Sequence, residues 1–326
     1  MSNRWRKLRS RVLTPDVSET KLRTRGFREK SPAAKELLER IGETFLTGYA
    51  AAVEGRTLVD VEQSLEQVPT RFRGFAYEGA GMGLAVLDGM PVGRSDRVQR
   101  FLAGAGDKNN YMVYVGVGWA MARLPRMCWR GLYAPDPLLR WLALDGYGFH
   151  QAYFRTDKYV KEQWVEPSFP WPTDDRWGYA NRAIDQGIGR AMWFVGGTDP
   201  VAVADLIDAF APSRRADLYS GAGLAATYAG GVDEAELQIF AQRAGEFLPQ
   251  VAQASAFAAE ARIRAGLLVP HTELAAHVLC GTDATRAAAL TQELRPDHPI
   301  DGDEPAFELW RQQIASALVG LERSGS

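Results

Sequence analysis

Glu78-Gly79-Ala80-Gly81-Met82, Val115-Gly116-Val117-Gly118-Trp119, Asp145-Gly146-Tyr147-Gly148-Phe149, Gln186-Gly187-Ile188-Gly189-Arg190 and Ser220-Gly221-Ala222-Gly223-Leu224 share one pattern: two glycines, two residues apart. Their first glycines follow one another at intervals of 37, 30, 41 and 34 residues. Weaker members at Gly48-Tyr49-Ala50 and Ser255-Ala256-Phe257-Ala258 extend the series at both ends. A period of roughly 34 residues marks helix–turn–helix repeats, in which one pair is too small to bury its own apolar face. The expected fold is all-α: about seven helix pairs, stacked as a TPR-like α-solenoid or closed into an α/α ring.

Helix punctuation agrees. Ser31-Pro32 is a capping residue followed by proline at the first helical position, apolar residues then recur at helical spacing through Val53, and Gly55 stands at the stop. Asp199-Pro200 opens a helix to about Phe210, Pro212-Ser213 opens another, and Gly230-Gly231 closes it before Asp233 caps the next. β-branched alternating runs are scarce.

Four residues after each first glycine stand Gly83, Ala120, His150, Ala191 and Ala225, so a small-residue stripe runs along one helix face. That stripe lets neighbouring backbones approach, which offsets a helix penalty of about 1 kcal/mol per glycine. The residues one before and three after the glycine form an adjacent stripe: Glu78/Met82, Val115/Trp119, Asp145/Phe149, Gln186/Arg190 and Ser220/Leu224. Its chemistry changes from repeat to repeat, so stacking alone does not dictate it. If the first helix of each pair lines the concave side, Glu78, Asp145, Gln186 and Arg190 converge on one volume. His150 breaks the small-residue rule and either opens a gap or reaches a cavity, five residues beyond Asp145.

The chain has 326 residues and a net charge of −2. Ten Lys or Arg in residues 1–30, against Asp16, Glu19 and Glu29, put that end at +7 and the remainder at −9. We read 1–30 as a basic arm folding onto an acidic body, and 31–326 as a single repeat domain with no nucleic-acid partner. No secretory h-region follows the basic start, and the most apolar run, Tyr111 to Leu124, is short and contains Arg123. A cytoplasmic location without a transmembrane segment is expected. Cys128 and Cys280 suggest no disulfide framework.

Recognised motifs are weak. Gly79-Ala-Gly81-Met-Gly83 lacks the third glycine of a dinucleotide fingerprint, since position 84 is Leu84, and no buried strand precedes it. His271-Thr-Glu273, with His277 and Cys280, has ligand residue types without a metal-site spacing, and Pro270-His271-Thr272 starts a helix. Asp174-Asp175 reads as a helix cap. Neither a cofactor nor a metal is expected. Aromatics crowd the middle of the chain, including Trp119, Tyr147, Phe149 and Trp193, and could wall a pocket for an apolar chain or a developing cation. Residues 156–176, with Pro167, Pro170 and Pro172, read as a long loop.

Several stretches carry a resemblance: Arg23-Thr-Arg-Gly-Phe-Arg, Phe75-Ala-Tyr-Glu-Gly-Ala-Gly-Met, Asp136 through Phe149-His150, Asp185-Gln-Gly-Ile-Gly-Arg, Arg214-Arg-Ala-Asp-Leu-Tyr219-Ser-Gly and Pro270-His-Thr-Glu. From roughly residue 10 to 315 the chain resembles a bacterial family, a domain of unknown function often encoded beside polyketide synthases that make enediyne antibiotics. The resemblance implies a role in enediyne biosynthesis and transfers no catalytic residues. Family members tend to carry an acidic residue shortly after Gly-Phe-His, where this chain has Gln151-Ala152.

The expected function joins the two readings: a protein that binds a polyene polyketide intermediate in an apolar cavity and converts it by cofactor-independent acid–base chemistry. Glu78 and Asp145 would act as acid or base, Arg190 would stabilise negative charge or pair with a carboxylate, and His150 and Asp185 are further candidates. Trp119, Tyr147, Phe149, Gln186, Trp193 and Tyr219 are the candidate substrate contacts. Two rivals remain open: a helical-repeat scaffold for other biosynthetic proteins, and an isoprenoid or polyene cyclase protonating a double bond through Asp145 or Glu78.

Overall fold

A computed structural model of the chain describes residues 16–90 and 96–325. Among the described residues every regular element is a helix and there is no strand. The principal helices are α1 (Pro32–Glu54), α2 (Leu58–Glu66), α3 (Thr70–Asp88), α4 (Arg97–Leu102), α5 (Asn110–Arg123), α6 (Arg140–Phe154) and α7 (Ala180–Val195). They continue as α8 (Pro200–Asp208), α9 (Pro212–Ala229), α10 (Glu234–Ala244), α11 (Leu248–Arg264), α12 (Pro270–Cys280), α13 (Ala284–Glu293) and α14 (Ala306–Gly325). Local chemistry sets the boundaries. The Ser31 side chain accepts from the Ala34 N–H ahead of Pro32, Asp199 accepts from Val201 and Ala202, and Asp233 with Glu236 forms a capping box.

The long helices α1, α3, α5, α6, α7, α9 and α11, all but the last carrying glycine, pack one on the next; the shorter α2, α4, α8 and α10 lie in the connections between them, and α12 follows α11. Residues two apart on a helix point about 200° apart, so paired glycines open both flanks of one helix. Gly79 meets the Phe45 carbonyl of α1, while a side chain on Gly81 would come within 2.8 Å of the Val113 carbonyl oxygen of α5. The alternation repeats: Gly187 meets the Asp145 carbonyl of α6 and Gly189 the Leu218 carbonyl of α9. The i/i+4 stripe also holds, since Gly83 faces Ala52 and Tyr49 of α1. The decisive feature is nevertheless the i/i+2 spacing, which seats each helix between two close neighbours.

Helices this closely spaced on both sides curl into a tight arc. Phe75 of α3 packs edge-on against Tyr228 of α9 with ring centroids 5.2 Å apart, and Arg262 of α11 donates to the Arg71 carbonyl of α3 at 3.2 Å. The arc therefore comes back on itself through side chains, and its inner faces look at one axis.

Two regions depart from a simple repeat. The connection between α6 and α7 is the expected long loop, carrying one wide turn at Asp157–Lys161, and Asp175 at its end accepts from the N–H groups of Tyr179 and Ala180. The basic arm is the second. Residues 1–15, with Arg4, Arg6, Lys7, Arg9 and Arg11, lie outside the described residues. Residues 16–30, however, are built into the packed body. Leu22 and Phe27 are buried, Arg25 donates to the Phe154 carbonyl, and the Arg28 N–H donates to the Val195 carbonyl. Lys30 donates to the Gly231 carbonyl and pairs with Glu236 at 2.6 Å. The segment thus crosses the C-terminal ends of α6, α7 and α9, where exposed carbonyls favour cationic partners. No described helix is long and apolar enough to cross a membrane.

Candidate functional site

The curl brings together stripe residues that are far apart in sequence. Arg190 on α7 lies 3.0 Å from Asp145 on α6 and 3.5 Å from Glu78 on α3. Trp119 on α5 donates its indole N–H to Glu78 Oε1 at 3.0 Å, and Gln186 donates to Asp145 Oδ2 at 2.8 Å. All five residues are buried. The cluster is loosely bonded. Arg190 Nε and Asp145 Oδ1 are close but misaligned, and neither makes a hydrogen bond among the described residues. Both partners of Glu78 meet Oε1, which leaves Oε2 without a partner among the described residues.

Two apolar cavities flank this cluster. The larger, with an empty volume of about 880 Å³, is bounded by Glu78, Trp119, Phe149 and Arg190 together with Phe45 and Tyr228. The second, of about 490 Å³, is bounded by Asp145, Leu142, Phe257 and Trp310, and shares Met112, Arg190, Leu224 and Tyr228 with the first. Arg190 therefore stands in the dividing wall, with one carboxylate facing each side. An apolar wall with a few convergent polar groups is the usual form of a small-molecule site.

Electrostatics follow from the burial. Desolvation pushes Glu78 up to about 7; Arg190 opposes the rise and the Asp145 charge reinforces it. Asp145 is raised too, by desolvation first, against Arg190 and the Gln186 hydrogen bond. With Glu78 protonated, Arg190 and Asp145 balance; when Glu78 ionises, the cluster carries one uncompensated negative charge. A carboxyl half-ionised near neutral pH suits both donation and acceptance of a proton. His150 also faces the larger cavity, edge-on to Trp119 at 5.5 Å. Burial, reinforced by the Arg123 charge, lowers it to about 3, so it stands there as a neutral ring.

Four candidates lie elsewhere. Asp185 faces away from the axis and pairs with Arg214, which donates to Oδ2 at 2.9 Å. Tyr147 packs against Trp129 and Phe169 under the long loop, its hydroxyl accepting from Gln151. Trp193 donates to the Gly230 carbonyl and packs against Phe240, and Tyr219 donates to Asp208 beside Phe247. The reason is helical phase. Asp185 and Tyr219 stand one residue, about 100°, off the inner stripe, and Tyr147 stands between two glycines that face its neighbours. Trp119 and Phe149 do line the cavity, while Gln186 reaches it only by bonding Asp145.

The sequence reading also overlooked wall residues. Arg123, Tyr153, Phe194 and Tyr228 line the larger cavity, each four positions after a stripe residue: Trp119, Phe149, Arg190 and Leu224. Extending the stripe by one turn would have found them. The Tyr228 hydroxyl, raised by burial, has no hydrogen-bond partner among the described residues. No cluster of three or more His, Cys, Asp or Glu placed to hold a metal occurs among the described residues.

No curated protein and no solved structure matches the chain. A family does, over residues 4–318. By that match, which covers nearly the whole sequence, the chain belongs to the family described as Protein of unknown function (DUF1702).

Proposed function

We propose that this protein binds an elongated, unsaturated apolar molecule in its central cavities and exchanges a proton with it through Glu78. One observation carries the reading: Glu78, raised by burial to about 7 and without a partner for Oε2 among the described residues, lines an apolar cavity. Protonating a conjugated carbon chain creates positive charge, and the aromatic lining of Trp119, Phe149, Phe45 and Tyr228 suits it. Arg190 and Asp145 balance each other while Glu78 is protonated, so giving up the proton leaves one negative charge beside the cation that forms. The resemblance to proteins encoded with enediyne polyketide synthases supports a polyene intermediate of that biosynthesis as the ligand. The enclosure of the inner stripe favours this over a scaffold, which would need an open groove for a peptide or partner domain.

The test is to produce wild type and Glu78→Gln in a strain making the enediyne polyene, then extract and weigh co-purifying small molecules by mass spectrometry. Both proteins are expected to carry an unsaturated apolar molecule, and only the wild-type strain to accumulate its converted form. Empty wild-type protein, or conversion undiminished with Glu78→Gln, overturns the proposal. Turnover of prenyl diphosphates by the purified wild type would instead favour the cyclase reading.

A further inference from the structure

The larger cavity has a polar end that the proton-transfer reading does not use. Of all the residues around it, Arg123 alone is exposed, which places the mouth at the C-terminal end of α5. Arg123 has no ion-pair partner among the described residues. Glu19, the carboxylate at this end, is already taken by Arg25 at 2.5 Å. His150 lines the same cavity, and its buried Nδ1 makes no well-aligned hydrogen bond among the described residues, with the Gln151 side chain near it. The exposed Arg123 is hydrated and available to an anion, while the buried His150 nitrogen is costly to leave without a partner.

We infer that the ligand is an amphipathic carboxylic acid, whose carboxylate is held at the mouth by Arg123 and the His150 Nδ1–H while its unsaturated chain runs inward. Position along α5 sets the register. Trp119, which orients Glu78, is one turn inside Arg123, about 6 Å deeper, and Met112, shared with the second cavity, is about 16 Å deeper. A chain anchored at Arg123 therefore passes Glu78 soon after its charged end and points its tail at the wall of Arg190 and Tyr228.

This inference rests on the cavity reading above, and the experiment separates the two. The probes are cis-parinaric acid, a conjugated tetraene acid that fluoresces in apolar surroundings, and its methyl ester. Wild type is expected to bind the acid about tenfold or more tighter than the ester, the gain of a charge-assisted contact. Arg123→Gln is expected to bring the acid down to the affinity of the ester without changing ester binding, and His150→Phe to lose part of the same preference. Equal affinity of wild type for acid and ester, or equal weakening of both by Arg123→Gln, overturns the carboxylate anchor and leaves the cavity reading standing. Failure of both probes to bind overturns the cavity reading and the anchor with it.

Discussion

The molecule buries two clusters of charged groups, and they are made differently. At the axis, Arg190 stands between Glu78 and Asp145 beside empty apolar space, with misaligned contacts and raised carboxyls. Nearer the C-terminus, Arg311 of α14 donates to Tyr179, Asp217, Glu308, Ser220 and Gln253, and Arg182 adds bonds to Asp217 and Glu308. Burial pushes Glu308 up there as well, but Arg311, Arg182 and the Tyr179 hydroxyl outweigh it and leave the carboxyl below its ordinary range. The same residue types thus give a fixed ion cluster where both oxygens of each carboxylate are bonded, and a titrating one where they are not. Saturation, not burial, separates a structural site from one able to move protons.

That contrast can be broken first at Arg311. Arg311→Leu strands Asp217 and Glu308 in the interior and is expected to cost about 3–5 kcal/mol of stability, read by denaturant unfolding at pH 7. Arg190→Met should cost clearly less at pH 6 than at pH 8, because Glu78 and Asp145 can take up protons in its absence. An equal, pH-independent cost at both sites would make the two clusters alike.

Next in size is Glu78→Gln, expected to lower conversion by about a hundredfold or more while binding persists, in keeping with loss of a general acid or base. It carries a pH signature. The carboxyl is ordinarily near 4.5 in the unfolded chain and about 7 in the folded one. The folded state therefore holds the proton more tightly, and wild-type stability should fall as pH rises from about 4.5 to about 7. Glu78→Gln should flatten that part of the unfolding midpoint-against-pH curve, whereas Glu308→Gln should not.

Smaller effects are expected in the frame that carries both clusters. Gly118→Ala drives a methyl into the Ala143 carbonyl and should destabilise by about 1–3 kcal/mol, while Gly104→Ala, whose nearest atom would be 3.6 Å away, should be near neutral. Ser220→Ala removes one of several donors and acceptors around Arg311 and should cost about 1 kcal/mol by thermal unfolding. A loss well above that would mean the C-terminal cluster has no redundancy.

The amino-acid sequence by itself determined the helices and their caps at Ser31, Asp199 and Asp233, because these depend on neighbours within a turn or two, and it marked the paired glycines as places of close approach. It also placed Glu78, Asp145 and Arg190 on one stripe of their helices, since helical phase is read from spacing alone. Only the tertiary structure decided that the arc curls tightly enough for Arg190 to reach Glu78, 112 positions away. It also decided which stripe faces the axis, and so that Asp185 and Tyr219, one residue off it, pack outward, and that Arg311 anchors a second cluster. Such meetings are set by the sum of small rotations between successive helices, a quantity held in the packing of all of them and written in no single segment.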